Sequence, residues 1–457
     1  MYLLKRLCCI AACIGIGQLH GQTTLTLHQS LEALKQYHPA LQVKQSLINA
    51  ATAYIKEIKD QQLPSFQLME QVAAGTDNSL NGSYFPMGIV PSTSGGRRAE
   101  NISSVGVNNF VVGNLQWDFY NFGGYKANEE SAAAALTVRK SDLDQQTYFL
   151  QVATTAAYFK VLKNEFLLRY SMDAYDRLSN IKNAIHAYVQ SGLRPGVDSS
   201  IANAELSKAK LNMLDATRQL AAAKNELSLL TGLDTSIIKA DTSNAVLINQ
   251  WHILQSSDSI LNHPLLSYYQ SVYKNNLAYE KVIRKSNLPK LSLLSAAWMR
   301  GSSIDATDKF KSADNAFSYN RYNYMAGLAL TYNLFEGKKR TDKLVVQQYQ
   351  TTAALQQYDL QKDQLESVNK ESDIYLSASL NKLNEIPVQL KAALDAYTQK
   401  LALYNSGLAN IIDLVNAYYI LNRAQIDEVM VKDEYWRAIF QKAYAANQFN
   451  QLLSILK

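Results

Sequence analysis

Ser191-Gly192-Leu193-Arg194-Pro195-Gly196-Val197-Asp198 is a short turn between two long segments rich in alanine and leucine. It returns as Ser406-Gly407-Leu408-Ala409-Asn410-Ile411-Ile412-Asp413, at an offset of 215 residues. In each copy the Gly supplies the positive φ that ends one helix, and the Asp is placed to N-cap the next. The pair predicts the tips of two helical hairpins, and the chain reads outward from them.

Other marks repeat as well. His38-Pro39-Ala40-Leu41 recurs as His263-Pro264-Leu265-Leu266, and Leu63-Pro64-Ser65 as Leu288-Pro289-Lys290, both at an offset of 225. Phe119-Tyr120-Asn121-Phe122-Gly123 corresponds to Asn333-Leu334-Phe335-Glu336-Gly337 at 214. Two halves of one repeat are expected, differing mainly in the loop between proline and glycine. His38 and His263, equivalent and each before a proline, read as structural turn residues.

That interval is the only part of each half that reads as β. In the first half Leu115, Trp117 and Phe119 alternate with Gln116, Asp118 and Tyr120. In the second, Tyr322, Tyr324, Ala326, Leu328, Leu330 and Tyr332 share one face of a strand, opposite Asn323, Met325, Gly327, Ala329, Thr331 and Asn333. About 10 residues of such alternation with tyrosines at both ends is the pattern of a membrane β-strand. Taken alone, it equally fits a hairpin on a soluble sheet; a secretory start to the chain favours the membrane. Lys5 and Arg6, the apolar run Leu7 to Ile16 and small or polar residues to Gln22 form that signal. All three cysteines lie within it, so the mature chain is expected to be cysteine-free, as suits an oxidising compartment. Ile10-Ala11-Ala12-Cys13 resembles a lipidation site, but the apolar run continues past Cys13 and a plain signal peptide is the expectation.

From Tyr125 to Gln190 there is no proline, a helix of roughly 100 Å if continuous. Its partner carries two seams of period seven: Ala202, Ala209, Ala216 and Ala223, then Leu206, Met213, Leu220 and Leu227. The small seam recurs as Ala417, Ala424, Val431 and Ala438. Two seams on one helix imply neighbours on two sides, whereas a lone coiled coil needs one. Pro387 is expected to kink the second long helix. Two halves supply four strands, too few to close a barrel, so a closed oligomer is expected; three copies would give twelve.

Together these residues resemble the TolC-like outer-membrane efflux proteins. The opening Leu27-His28-Gln29-Ser30-Leu31-Glu32-Ala33-Leu34 leads to His38-Pro39, where the family usually has Asn-Pro. Leu63-Pro64-Ser65, Phe122-Gly123-Gly124 and the two Ser-Gly-Leu tips follow in the family's order, over about residues 23 to 455. The resemblance implies a mixed fold, a membrane β-barrel and a long α-helical barrel, with two internal repeats per chain. A trimer would form a 12-stranded barrel continued by a 12-helix periplasmic tunnel. The implied domains are a signal peptide at 1–22, a first repeat at 23–232, an equatorial linker at 233–258 and a second repeat at 259–457. The first repeat would hold strands about 65–73 and 110–120 and a hairpin at 125–232. The second would hold strands about 290–299 and 322–333 and a hairpin at 338–455. It also implies a Gram-negative outer-membrane exit duct, set in outer-membrane lipid and reaching into the periplasm. Small molecules would reach it from an inner-membrane pump through a periplasmic adaptor. Gly192, Leu193, Asp198, Gly407 and Leu408 would dock the adaptor. Asp413 would line the periplasmic entrance, with Asn416 where the family often has a second aspartate. Helix capping is the competing role for Asp198 and Asp413.

No enzyme, metal or cofactor site is expected. Gly337-Lys338-Lys339-Arg340 lacks the upstream glycine and the Ser/Thr of a phosphate loop, and Gly95-Gly96-Arg97-Arg98 reads as a loop tip. The five histidines after the signal show no metal-ligand spacing. A net charge of +6 from 45 basic and 39 acidic residues without a basic block argues against nucleic acid. Two rival functions stand beside the efflux duct: an outer-membrane duct for type I protein secretion, and a structural periplasmic coiled-coil tether.

Overall fold

The computed structural model describes residues 24–78, 99–240 and 260–456. The signal peptide at 1–22, most of the linker at 233–258 and the centre of the first loop, Gly95 to Arg98 included, lie outside the described residues.

The described helices and strands follow in two parallel series. The first half has α1 (Leu27–Tyr37), α2 (Pro39–Asp60), β1 (Ser65–Gly75), β2 (Gly106–Tyr120), α3 (Gly124–Gln190) and α4 (Gly196–Thr231). The second has α5 (Pro264–Lys285), β3 (Lys290–Ser302), β4 (Arg321–Thr331), α6 (Glu336–Asn405), α7 (Ile411–Ala445) and the short α8 (Phe449–Ile455). From α2 and α5 onward the order is the same, so the repeat seen in the sequence is a repeat of structure. Helix α6 runs unbroken through Pro387, so the proline does not end the helix there.

The repeated His-Pro pair has a physical role. Pro39 and Pro264 open α2 and α5, where a missing N–H costs nothing. The preceding histidine caps each helix: His38 Nδ1 accepts from the Ala40 amide at 3.2 Å, and His263 Nδ1 from the Leu265 amide at 3.1 Å. An imidazole nitrogen thus does the work of an asparagine oxygen.

The described residues divide into two compact units, one within 1–46, 140–269 and 357–457, the other within 47–139 and 270–356. The first is helical. In its core Trp436 meets Phe159 edge to face and Phe440 meets it tilted, with ring centroids 4.5 and 4.6 Å from Phe159. A second cluster joins all four long helices through Leu178 and Ile185 of α3, Ala202 and Ala209 of α4, Tyr397 of α6, and Leu414 and Leu421 of α7. The alanine seam of α4 is wholly buried, as are Ala417, Ala424 and Ala438 of α7. Leu206, Met213 and Leu220 of the larger seam are only half-buried. The small seam is consumed within the chain, whereas Leu206 and Leu220 of the large one pack against the core while staying partly accessible.

The second unit holds a four-stranded antiparallel meander, β1-β2-β3-β4. Register makes its two faces chemically different. Phe66, Leu68 and Val72, Val111 and Leu115, Leu293 and Met299, and Tyr322, Tyr324, Leu328 and Leu330 fall on one face. Gln67, Gln71, Asn108, Asn114, Gln116, Ser302, Asn323 and Thr331 fall on the other. Glu70 and Asn109 are polar residues on the apolar face, and the β3–β4 loop reaches over to bond Glu70 and the Asn109 Nδ2. Tyr319 donates its hydroxyl to Glu70 at 2.8 Å and accepts from Asn109 Nδ2 at 2.8 Å. The same loop lies on Gly301, where a Cβ would collide with the Ala316 carbonyl oxygen.

Candidate functional site

Two places in the molecule carry exposed features that a soluble monomer would not keep. The first is the pair of hairpin tips. Both long helices end in the same motif: the Leu193 amide donates to Tyr188 O (2.9 Å) and Gly192 to Val189 O (3.0 Å). Likewise Leu408 donates to Leu403 O (2.9 Å) and Gly407 to Tyr404 O (3.0 Å). This double bond needs a left-handed residue, and Gly192 and Gly407 have φ of +75° and +82°. A Cβ at either would meet nothing within 4 Å, so conformation and not space demands glycine there. The leucine that follows often packs back on its helix in this motif. Here Leu193 and Leu408 are 72% and 78% exposed, two apolar side chains held outward at equivalent points.

The aspartates sit one turn inside their helices, which corrects the capping expected from sequence. The cap of α4 is Pro195, without a side-chain bond, and that of α7 is Asn410, whose Oδ1 accepts from the Asp413 amide at 2.8 Å. Asp198 and Asp413 are third residues of their helices, where a carboxylate still favours the helix dipole. Their surroundings differ. Asp198 is buried, 8% exposed, whereas the Asp413 carboxylate is half-exposed, 3.4 Å from Lys400 Nζ, with Asn416 exposed three residues on.

Arg194 joins the two tips. Its Nη2 donates to the Ala409 carbonyl at 3.2 Å, and its guanidinium lies 4.9 Å from the ring centre of Tyr404. Burial first, and then nearby Asp198, raise the Tyr404 pKa. The sequence repeat aligned these tips without indicating that they touch, because their residues are 215 apart in the chain.

The second place is the sheet. β1 and β4 are each 11 residues long, the reach of a tilted membrane strand, and each leaves one backbone edge unpaired among the described residues. Tyr322 and Tyr324 stand exposed at one end of β4; Tyr332 and Phe335 stand exposed beyond the other. No described helix is long and apolar enough to cross a membrane. Among the described residues no cluster of metal-ligating side chains occurs.

The chain thus combines apolar-faced strands with two helices of 67 and 70 residues. Residues 30–233 match the outer membrane efflux protein family. Among curated proteins none matches. Among solved structures, VceC of Vibrio cholerae is 16% identical with a TM-score of 0.70, covering 92% of this chain and 95% of its own. The CmeC outer membrane channel of Campylobacter jejuni is 14% identical with a TM-score of 0.71, covering 94% and 89%. CusC is 12% identical with a TM-score of 0.74, covering 93% and 92%. Residues 30–233 thus resemble a family of outer-membrane channels, and the chain over most of its length has the fold of solved outer-membrane channels.

Proposed function

We propose that three copies of this chain form the exit duct of a tripartite efflux system, passing small molecules from an inner-membrane pump and a periplasmic adaptor to the outside. The observation that carries this reading is the sheet with two open edges. In a bilayer every backbone N–H and C=O must be paired, so an open sheet edge is not tolerated. Since β1 and β4 run antiparallel to each other, β4 of one copy can pair with β1 of the next and keep the whole barrel antiparallel. Three copies give twelve strands, and the exposed Leu211, Leu214 and Leu229 of α4 are available for contact between neighbouring copies. The exposed Leu193 and Leu408, set on their glycines, suit an apolar groove on the adaptor.

Asp413 and Asn416 line the entrance in this reading. Three Asp413 carboxylates around one axis attract cations and repel each other, with Lys400 offsetting part of that charge. The test is single-channel conductance in a planar bilayer, with the mass of the protein in detergent. A trimer with small, cation-selective openings that widen in Asp413→Ala is the expected result. A non-conducting monomer or dimer would leave the coiled-coil tether as the better account.

A further inference from the structure

Register places two arginines side by side where the sequence separates them by a long loop. Arg300 of β3 is directly opposite Arg321 of β4, and Phe110 of β2 is directly opposite Arg300. All three lie on the face that carries Gln71, Asn108 and Asn114, mixed there with Val112, Trp298 and Met325, at the strand ends away from the helices. The Arg300 guanidinium is seated over the Phe110 ring, 5.3 Å from its centre. That contact orients the charge without neutralising it. Directly opposed side chains have Cβ atoms only about 5 Å apart, and like charges there destabilise the pairing. Neither arginine forms an ion pair among the described residues. The stretch 79–98 contains no acid, and Asp305 of the β3–β4 loop is bonded to Thr307 and paired with Lys311. Two permanent cations at one level of one face, with no carboxylate partner among the described residues, form an arrangement that an anion would stabilise.

We propose that Arg300 and Arg321 form an anion-binding belt on the lumen wall at the outer mouth of the duct, taking phosphate- or carboxylate-bearing solutes. This rests on the trimeric duct reading, in which that face is the lumen and six arginines ring one level. Rings of arginine select anions in pores, and a guanidinium grips phosphate or carboxylate with two parallel bonds. The belt gives the outer mouth a preference opposite in sign to that of the Asp413 entrance. Anionic cargo that has entered is drawn outward.

The test uses the full-length protein in bilayers of zwitterionic phospholipid, wild type against Arg300→Gln/Arg321→Gln, with heat-modifiable migration as the check on assembly. Inorganic phosphate is added on the barrel side, and the reversal potential is read in a potassium chloride gradient. The expected result is phosphate block in the wild type, its loss in the double variant, and a shift of the variant's reversal potential toward cation selectivity. Conducting channels with identical block and selectivity in both proteins would overturn the belt and leave the duct intact. Absence of conductance in the wild type would overturn the duct reading and the belt with it. A second arm replaces dissolved phosphate with lipopolysaccharide in the outer leaflet. Arginine-dependent change in that arm alone would place the arginines at the lipid and not in the lumen, and would equally overturn the belt.

Discussion

At the scale of single residues, His263 is the most informative side chain. It is fully buried, and its two nitrogens have separate tasks: Nδ1 caps α5 and Nε2 donates to the Tyr444 carbonyl at 3.1 Å. That carbonyl belongs to the last turn of α7 and also accepts from the Tyr148 hydroxyl at 3.2 Å. One imidazole therefore closes the start of one helix and the end of another. Burial lowers its pKa from 6.5 to about 4, against the smaller opposing effect of the Tyr444 bond. The unfolded imidazole takes up its proton as pH falls below about 6.5, and the folded one resists until about 4. Stability is thus fullest above pH 6.5 and declines between those values. In His263→Asn, which keeps a capping oxygen, that share of the decline should vanish from thermal melts followed by circular dichroism. His263→Ala should cost about 2–4 kcal/mol at neutral pH by loss of the cap and of buried volume.

At the scale of elements, the small seam of α4 explains how long helices pack so closely within one chain. Ala209 is 4% exposed among side chains of neighbouring helices. Ala209→Leu should lower stability by about 1–3 kcal/mol through overpacking, read as a drop in the melting midpoint. Leu214→Ala, at an exposed position of the same helix, should leave the isolated chain's melt nearly unchanged. Much at this scale was legible in the sequence, because helix ends, seams and strand alternation are local patterns. Gly192 and Gly407 could be read from their own turns, and the roles of His38 and His263 from the proline that follows each. The caps at Pro195 and Asn410 were not, since aspartate is so common a cap that Asp413 masks the asparagine three residues before it. Arg194 against Ala409, Lys400 beside Asp413 and Arg300 opposite Arg321 were hidden for another reason. Each depends on a fold-level approach or register that no local pattern reports.

At the scale of the whole molecule, the sheet's apolar face sets the sharpest expectation. Leu328 lies mid-strand on that face and is 69% exposed in the single chain. Leu328→Arg should cost about 2–4 kcal/mol near the bilayer midplane. The heat-modifiable form should be lost from outer-membrane fractions on gels, while Asn323→Arg on the opposite face should be tolerated.

The two unpaired strand edges also bear on how the protein is made. A lone copy has nowhere to place the free backbone groups of β1 and β4 once lipid surrounds them. In the proposed trimer insertion is a collective event, and the yield of membrane-embedded protein should rise more steeply than in proportion to the supply of chains. A short peptide copying β1 would occupy the waiting edge of β4 and act as a chain terminator for ring closure.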